Sequence, residues 1–361
     1  MKKQIKLFDP IIDSREEKAL NRVLKSGFWA SGAGGFNVQK FENKFNQYVH
    51  SKFCVAVNSG TAALHLALSL IDIKNKEVIV PSLSFVSTVH AILYNGGIPR
   101  FVDVNPISLC IDVDLIQKSI NKKTKAILPV HFGGYPSNLS EMKKICEKNN
   151  IFLIEDAAHA AGALFNKKKI GSHGDFVCFS FHPVKNLAMP SGGAITINHK
   201  KGLKFKNILE SRRWCGISNR KGVSYDVSQL GWNYYMNEFA ASIGLIQLSK
   251  LDSMNNKRKK IAKIYSKNIK LTTKMPYDPN CCYHLFWIRV KNRDDFMKKM
   301  NKAGIETGIH YNPIHKMSFY NSHQNLPITE QVGKEIVSIP IHPKLNENEI
   351  NHIVNSINDF T

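Results

Sequence analysis

Ile151-Phe152-Leu153-Ile154-Glu155-Asp156-Ala157-Ala158-His159 begins as an apolar run and closes on two carboxylates and a histidine. A half-buried strand alternates apolar and polar side chains. A strand buried on both faces does not, so this run predicts an inner strand. Six more runs have the same character: Phe53 to Val57, Glu77 to Val80, Pro99 to Val104, Lys125 to Val130, Asp175 to Phe181 and Gly193 to Ile197. Helical stretches lie between them, among them Thr61 to Leu70 and Leu139 to Asn149. The alternation predicts an α/β fold with a seven-stranded, mostly parallel sheet flanked by helices.

With 361 residues the chain exceeds one typical domain. We expect a large domain over 1–248, with an N-terminal arm, and a small C-terminal α+β domain over 249–361. Gly231 to Leu251 reads as a long helix and Asp252 to Lys267 as a second, basic one. Beyond them, Tyr283 to Val290 reads as a strand, and Arg293 to Ala303 as a helix capped by Gly304. Glu306 to Tyr311 reads as a second strand and Glu347 to Asn358 as a final helix. Ser31-Gly32-Ala33-Gly34-Gly35 follows no strand, so it reads as a loop, not as a dinucleotide-binding turn, and no P-loop signature occurs.

Apolar residues make up 43% of the chain, and no run is long enough to span a bilayer. Met1 to Lys6 is basic but lacks the apolar centre of a signal peptide, so a cytoplasmic protein with no membrane contact is expected. The seven cysteines are odd in number and form no C-x-x-C pair, which predicts reduced core thiols and no metal site. The adjacent Cys281 and Cys282 suggest no role. The net charge is +22. Its densest runs, Asn255 to Lys260 and Lys167 to Lys169, read as a solvated helix face and a turn. A nucleic-acid partner is therefore not expected, although a basic surface suits a dianionic substrate such as a nucleotide diphosphate.

Four short segments carry candidate chemistry. In Val57-Asn58-Ser59-Gly60-Thr61-Ala62 a strand turns into a helix through small residues, as in an anion site built on a helix N-terminus. Ser59 and Thr61 read equally well as plain capping residues. Asp156, at a strand end, faces the crevice where α/β proteins bind ligands, while Glu155 points to the opposite face. A helix-capping role fits Asp156 as well. His159 reads either as a ligand contact or as a satisfied core histidine. Lys185, in Phe179-Ser180-Phe181-His182-Pro183-Val184-Lys185-Asn186-Leu187, sits on a turn between two apolar strands. Desolvation there lowers an amine's pKa, and a neutral amine is a nucleophile that forms a Schiff base. Ser180 adds a hydroxyl to the anion site. Phe85, in Pro81-Ser82-Leu83-Ser84-Phe85, is an aromatic able to stack on a flat ligand or to pack in the core. An amine that holds an aldehyde and an acid that keeps a pyridine protonated are what pyridoxal phosphate takes from a protein.

At this point the chain resembles the DegT/DnrJ family of sugar aminotransferases, within fold type I of the pyridoxal-phosphate enzymes, the aspartate-aminotransferase-like fold. The resemblance rests on ordered matches over nearly the whole length. They include N-S-G-T-A-A-L at 58–64, E-D-A-A-H-A-A-G at 155–162, F-S-F-H-P-V-K-N-L at 179–187, G-W-N-Y-Y-M-N-E at 231–238, Y-H-L-F at 283–286 and G-I-E-T-G-I-H-Y at 304–311. It implies that Lys185 is the Schiff-base lysine and moves the proton. It also implies that Asp156 pairs with the pyridine nitrogen, Phe85 and His159 lie against the ring, and Ser59, Gly60, Thr61 and Ser180 bind the phosphate. Asn233 would reach the phosphate of a neighbouring subunit, in a homodimer with shared sites. The implied reaction moves the amino group of L-glutamate to a keto group of a nucleotide-linked 6-deoxy sugar by way of pyridoxamine phosphate (PMP). Gly231 to Glu238 is closer to relatives acting on 4-keto sugars. His310, Tyr311 and His315, in or beside the loop 311–325, are the expected substrate contacts, with the loop 212–225.

Two departures stand out. Met189-Pro190-Ser191 precedes the paired glycines where the family has an acidic residue and a glycine, and Tyr235 stands where it often has arginine. Related dehydratases carry histidine in place of the lysine, so Lys185 favours transamination. The residues leave open a transaminase of another phosphorylated or cyclic ketone. They also leave open a non-catalytic pyridoxal- or DNA-binding regulator, against which Lys185 and Asp156 argue.

Overall fold

The computed structural model describes residues 4–320, 322 and 324–361. Met1 to Lys3 of the basic N-terminus, and Asn321 and His323 of the loop 311–325, lie outside the described residues. In chain order the strands are β1 (Phe53–Val57), β2 (Glu77–Pro81), β3 (Ile98–Val102), β4 (Thr124–Ile127), β5 (Phe152–Asp156), β6 (Leu164–Phe165), β7 (Lys168–Lys169), β8 (Phe176–Ser180) and β9 (Gly193–Ile197). They are followed by β10 (Ile217–Lys221), β11 (Ser224–Val227), β12 (Phe286–Arg289) and β13 (Ile336–Ile339). Seven of them form one sheet in the order β1-β9-β8-β5-β4-β2-β3. The pairs from β8 to β3 are parallel, and β9 runs antiparallel to both β8 and β1. Each expected run contributes one strand to this sheet.

Alternation within the strands explains why the runs are continuously apolar. Cys54, Ala56, Ile79, Ile127, Leu153, Val177 and Phe179 pack into one core cluster. Their neighbours Val55, Val57, Val78, Val80, Ala126, Ile154, Phe176 and Cys178 pack into another. Adjacent residues thus face opposite layers, and both layers are covered. Each Val, Leu, Ile or Phe side chain so buried contributes about 1.5–3 kcal/mol.

Beyond the sheet the structure departs from the expected elements. The two helices expected over 231–267 are one helix, Glu238–Asn268, capped by the Asn237 side chain on Ala240 N. Asp252 does not break it, because its carboxylate lies at the surface and accepts from Lys169 Nζ at 2.8 Å. Residues 231–237 are extended, and Tyr235 forms an isolated bridge with Val57. Nor is the basic run 255–260 only a solvated face. Asn255 and Arg258, three residues apart, are both buried. In the C-terminal part, β12 begins at Phe286 and pairs antiparallel with β13. The expected strand over Glu306 to Tyr311 reduces to one bridge, Gly308 to Ser338. The partner was hidden because Ile336 to Ile339 follows directly on the helix Pro327–Glu335.

Phe179 sits at the heart of the first cluster, edge-on to Phe45 with centroids 4.9 Å apart. Phe179→Ala is expected to cost about 3–5 kcal/mol of stability, read as a lower midpoint in urea unfolding. A loss below about 1 kcal/mol would contradict this packing.

Candidate active site

Parallel strands bring their C-terminal ends to one edge of a sheet, and loops leaving that edge enclose the crevice. Here β1, β2, β5 and β8 end together around a cavity of about 350 Å3. Ser59, Gly60, Thr61, Phe85, Asp156, His159, Ser180, Lys185, His310 and Tyr311 all line it. Ten of the expected positions therefore meet in one place.

The turn after β1 leads into the helix Gly60–Ser69. Ser59 is its N-cap and accepts from Ala62 N at 3.1 Å. The first turn of a helix leaves N–H groups without intrahelical acceptors, and Gly60 and Thr61 carry two of them at the cavity wall. Thr61 Oγ1 lies 2.7 Å from Ser87 Oγ. Glycine is required at 60, because a Cβ there would lie 2.6 Å from Ser180 Cβ. The helix N-terminus and the end of β8 approach closely enough to share one small anion between backbone N–H groups and hydroxyls.

Asp156 ends β5 and is buried. Thr88 Oγ1 donates to its Oδ2 at 2.8 Å and Ala158 N to its Oδ1 at 3.1 Å. Burial raises its pKa, while those two hydrogen bonds and the Lys185 charge pull the other way. Glu155 turns to the opposite layer, as strand alternation requires, and meets His131 Nε2 at 2.8 Å. Thr88 was not anticipated, since a hydroxyl in the first turn of a helix reads as ordinary end chemistry.

Lys185 lies on the loop between β8 and β9. Three backbone bonds close that loop: Phe181 N to Gly192 O, Met189 N to Phe181 O, and Lys185 N to His182 O, each 2.8 Å. Buried Asn186 anchors the next position, donating to Asn255 Oδ1 and Cys282 O, both at 2.9 Å. Burial pushes the Lys185 amine down to about 8, with Asp156 opposing the shift. Its Nζ lies 3.3 Å from His284 Nε2. His284 was not foreseen, because a single histidine inside the apolar Tyr283 to Val290 reads as core.

His159 accepts from Gly133 N through Nδ1 at 3.2 Å, so its proton is on Nε2, 3.1 Å from Tyr311 Oη. Burial holds its pKa well below the ordinary value, with the Lys185 charge adding to the effect. Phe85 is 57% exposed at the cavity. Burial also pushes His310 down to about 4.

Two expected positions lie elsewhere. Asn233 is exposed and does not line the cavity. His315 is fully buried outside it, with Nδ1 2.7 Å from Ser82 Oγ and Nε2 3.2 Å from Glu330 Oε1. Of the departures, Ser191 donates through Oγ to the Asn58 carbonyl and so ties the two cavity loops together.

The model of the DegT/DnrJ/EryC1/StrS aminotransferase family matches residues 10–358. The chain belongs to this family. Among its relatives, the GDP-perosamine synthase of Escherichia coli O157:H7 is 33% identical over 370 residues, covering 99% of each chain. The dTDP-3-amino-3,6-dideoxy-alpha-D-galactopyranose transaminase of Aneurinibacillus thermoaerophilus is 37% identical over 354 residues, covering 95% of this chain and 94% of that protein. Among solved structures, Helicobacter pylori PseC, an aminotransferase involved in the biosynthesis of pseudoaminic acid, superposes with a TM-score of 0.93 at 26% identity. The match covers 99% of both chains. A fold-type-I family thus agrees with the sheet and with the cavity at its C-terminal edge.

The close approach at Gly60 yields a prediction. Gly60→Ala pushes the helix N-terminus away from Ser180, so it should weaken pyridoxal phosphate binding at least about tenfold and lower the unfolding midpoint, as measured by absorbance titration of the folded variant and urea unfolding. Unaltered affinity would show that the phosphate is held elsewhere.

Proposed function

We propose that this chain is a pyridoxal-phosphate-dependent aminotransferase carrying the amino group of L-glutamate to the 4-keto group of a nucleotide-linked 6-deoxy sugar. One observation carries the reading: an amine, a carboxylate and a helix N-terminus flanked by hydroxyls line a single cavity. That donor set fits a flat, anionic, basic-ringed aldehyde. The family, and relatives named for GDP- and dTDP-linked sugars, support the substrate class. One of those relatives is named for a 3-amino sugar, so the 4-position rests on the segment 231–238 alone.

When bound, pyridoxal phosphate supplies an electron sink and a carrier for the amino group. In our reading Ser59, Gly60, Thr61 and Ser180 hold its phosphate, and Phe85 and His159 hold its ring. Asp156 keeps a proton on the ring nitrogen, its own oxygens fixed by Thr88 and Ala158. Lys185 Nζ would hold the aldehyde carbon covalently, with loss of water. Freed when the amine of glutamate displaces it, Nζ would take the proton from the α-carbon of glutamate and later deliver one to the keto carbon of the sugar. An amine titrating at about 8 exchanges protons readily near neutral pH. His310 and Tyr311 are the proposed sugar contacts. Asn233, exposed in one chain, would complete the phosphate site of a second copy in a homodimer. The net charge of +22 favours a dianionic nucleotide. A cytoplasmic location and a role in polysaccharide biosynthesis complete the reading. So does a division at 248/249, inside the Glu238–Asn268 helix, beyond which lie most residues of the core around Tyr265, Phe286 and Ile353.

The test is the visible absorption of the purified protein with pyridoxal phosphate, before and after L-glutamate. Wild type should show a band that bleaches with glutamate, and Lys185→Ala should show neither the band nor the bleaching. An identical band in the variant would sink the assignment of Lys185.

A further inference from the structure

Lys185 also lines a second, much smaller cavity of about 10 Å3. That is room for the centre of about one water molecule. Phe8, Asp9, Arg258, His284 and His342 form part of its wall. Three of these residues, each buried, carry a nitrogen with no partner among the described residues: Arg258 Nη1, His284 Nδ1 and His342 Nδ1. Buried polar atoms are nearly always satisfied, so three orphans around one cavity point to a missing partner that they share.

Their donor and acceptor roles follow from their other contacts. His342 Nε2 lies 3.0 Å from the Lys6 carbonyl oxygen, so Nε2 carries the proton and Nδ1 is an acceptor. Arg258 Nη1 only donates. His284 Nε2 lies 3.3 Å from Lys185 Nζ. An ammonium only donates, so Nε2 is the acceptor there and Nδ1 carries the proton. The residues lining the cavity therefore offer two donors and one acceptor. One water, which accepts two hydrogen bonds and donates one, matches that set, whereas an anion would oppose the bare nitrogen of His342.

We propose that one ordered water joins His284, Arg258 and His342 in this cavity and, through His284, positions the amine of Lys185. The inference rests on the reading of Lys185 as the reactive amine. With the tautomer of His284 fixed, its Nε2 takes one hydrogen of Nζ and leaves the remaining valences for the main cavity. Phe8 stacks on the His284 ring at 5.5 Å and 20°, which holds its plane. His284 is thus a positioning residue. It favours the charged amine by accepting from it, and the Asp156 carboxylate on β5 favours it by charge alone. Buried Arg258 disfavours that charge, and so would protonated His159, His182 or His310.

The experiment is carbamylation of the full-length, cofactor-free chain by cyanate, with Lys185 followed by peptide mass across pH. Cyanate reacts as isocyanic acid with the neutral amine, so at fixed total cyanate the rate is level below the amine's pKa and falls above it, with a half-point near 8 in wild type. His284→Leu removes the acceptor and should move the half-point down by on the order of one pH unit. His284→Gln, which keeps an acceptor, should restore it. Arg258→Met removes a buried cation and should move it up. Shifts in one common direction, or none, overturn the proposal. Lys185 reacting no faster than surface lysines in wild type at pH 8 would instead overturn the reading of Lys185 itself. A high-resolution crystal structure gives an answer that needs no variant. A water within about 3.2 Å of all three nitrogens is expected, and a dry cavity overturns the proposal.

Discussion

A partly buried amine sharing its cavity with a buried carboxylate is the constraint on which the rest of this structure depends. A charge taken out of water must be paired or neutralised. Here both happen in part. Burial pushes Lys185 down to about 8 and Asp156 up, and each group opposes the shift of the other. The arrangement needs a frame that holds the two together. Adjacent parallel strands β5 and β8 supply it, since Asp156 ends one and the other leads into the loop of Lys185. Asn186 then fixes that loop to the Glu238–Asn268 helix and to Cys282.

The anion cradle depends on the same frame through small residues. Gly60 lets the helix N-terminus reach Ser180, and Gly193 lets the start of β9 press against the Ser59 carbonyl. The antiparallel return of β9 folds the Lys185 loop over the turn after β1. Ser191 bonds to the Asn58 carbonyl across that contact. The departure at Pro190-Ser191 thus falls where the cradle and the lysine loop are joined, not at the reacting atoms.

Much of this was legible in the chain, for physical reasons. Strands covered on both faces must be apolar throughout, so all seven could be found. The carboxylate and the lysine showed because each interrupts such a run at its end. What stayed hidden depends on side chains meeting from distant segments. His284 lies in an apolar stretch, and nothing local says that it faces Lys185. Arg258 disappeared into a run of lysines, although its spacing from Asn255 puts both on the buried side of the helix. Asp252 suggested a break that its surface position makes unnecessary. His315 lies in the expected loop but turns to Ser82 and Glu330, away from the cavity. Asn233 is exposed in the single chain, away from the cavity.

The most direct test of the central claim is to add pyridoxal phosphate to the full-length protein, reduce with borohydride and map the modified peptides. The account predicts one stably modified lysine, Lys185, despite the many lysines on the surface. Modification spread over surface lysines with Lys185 unlabelled would contradict it.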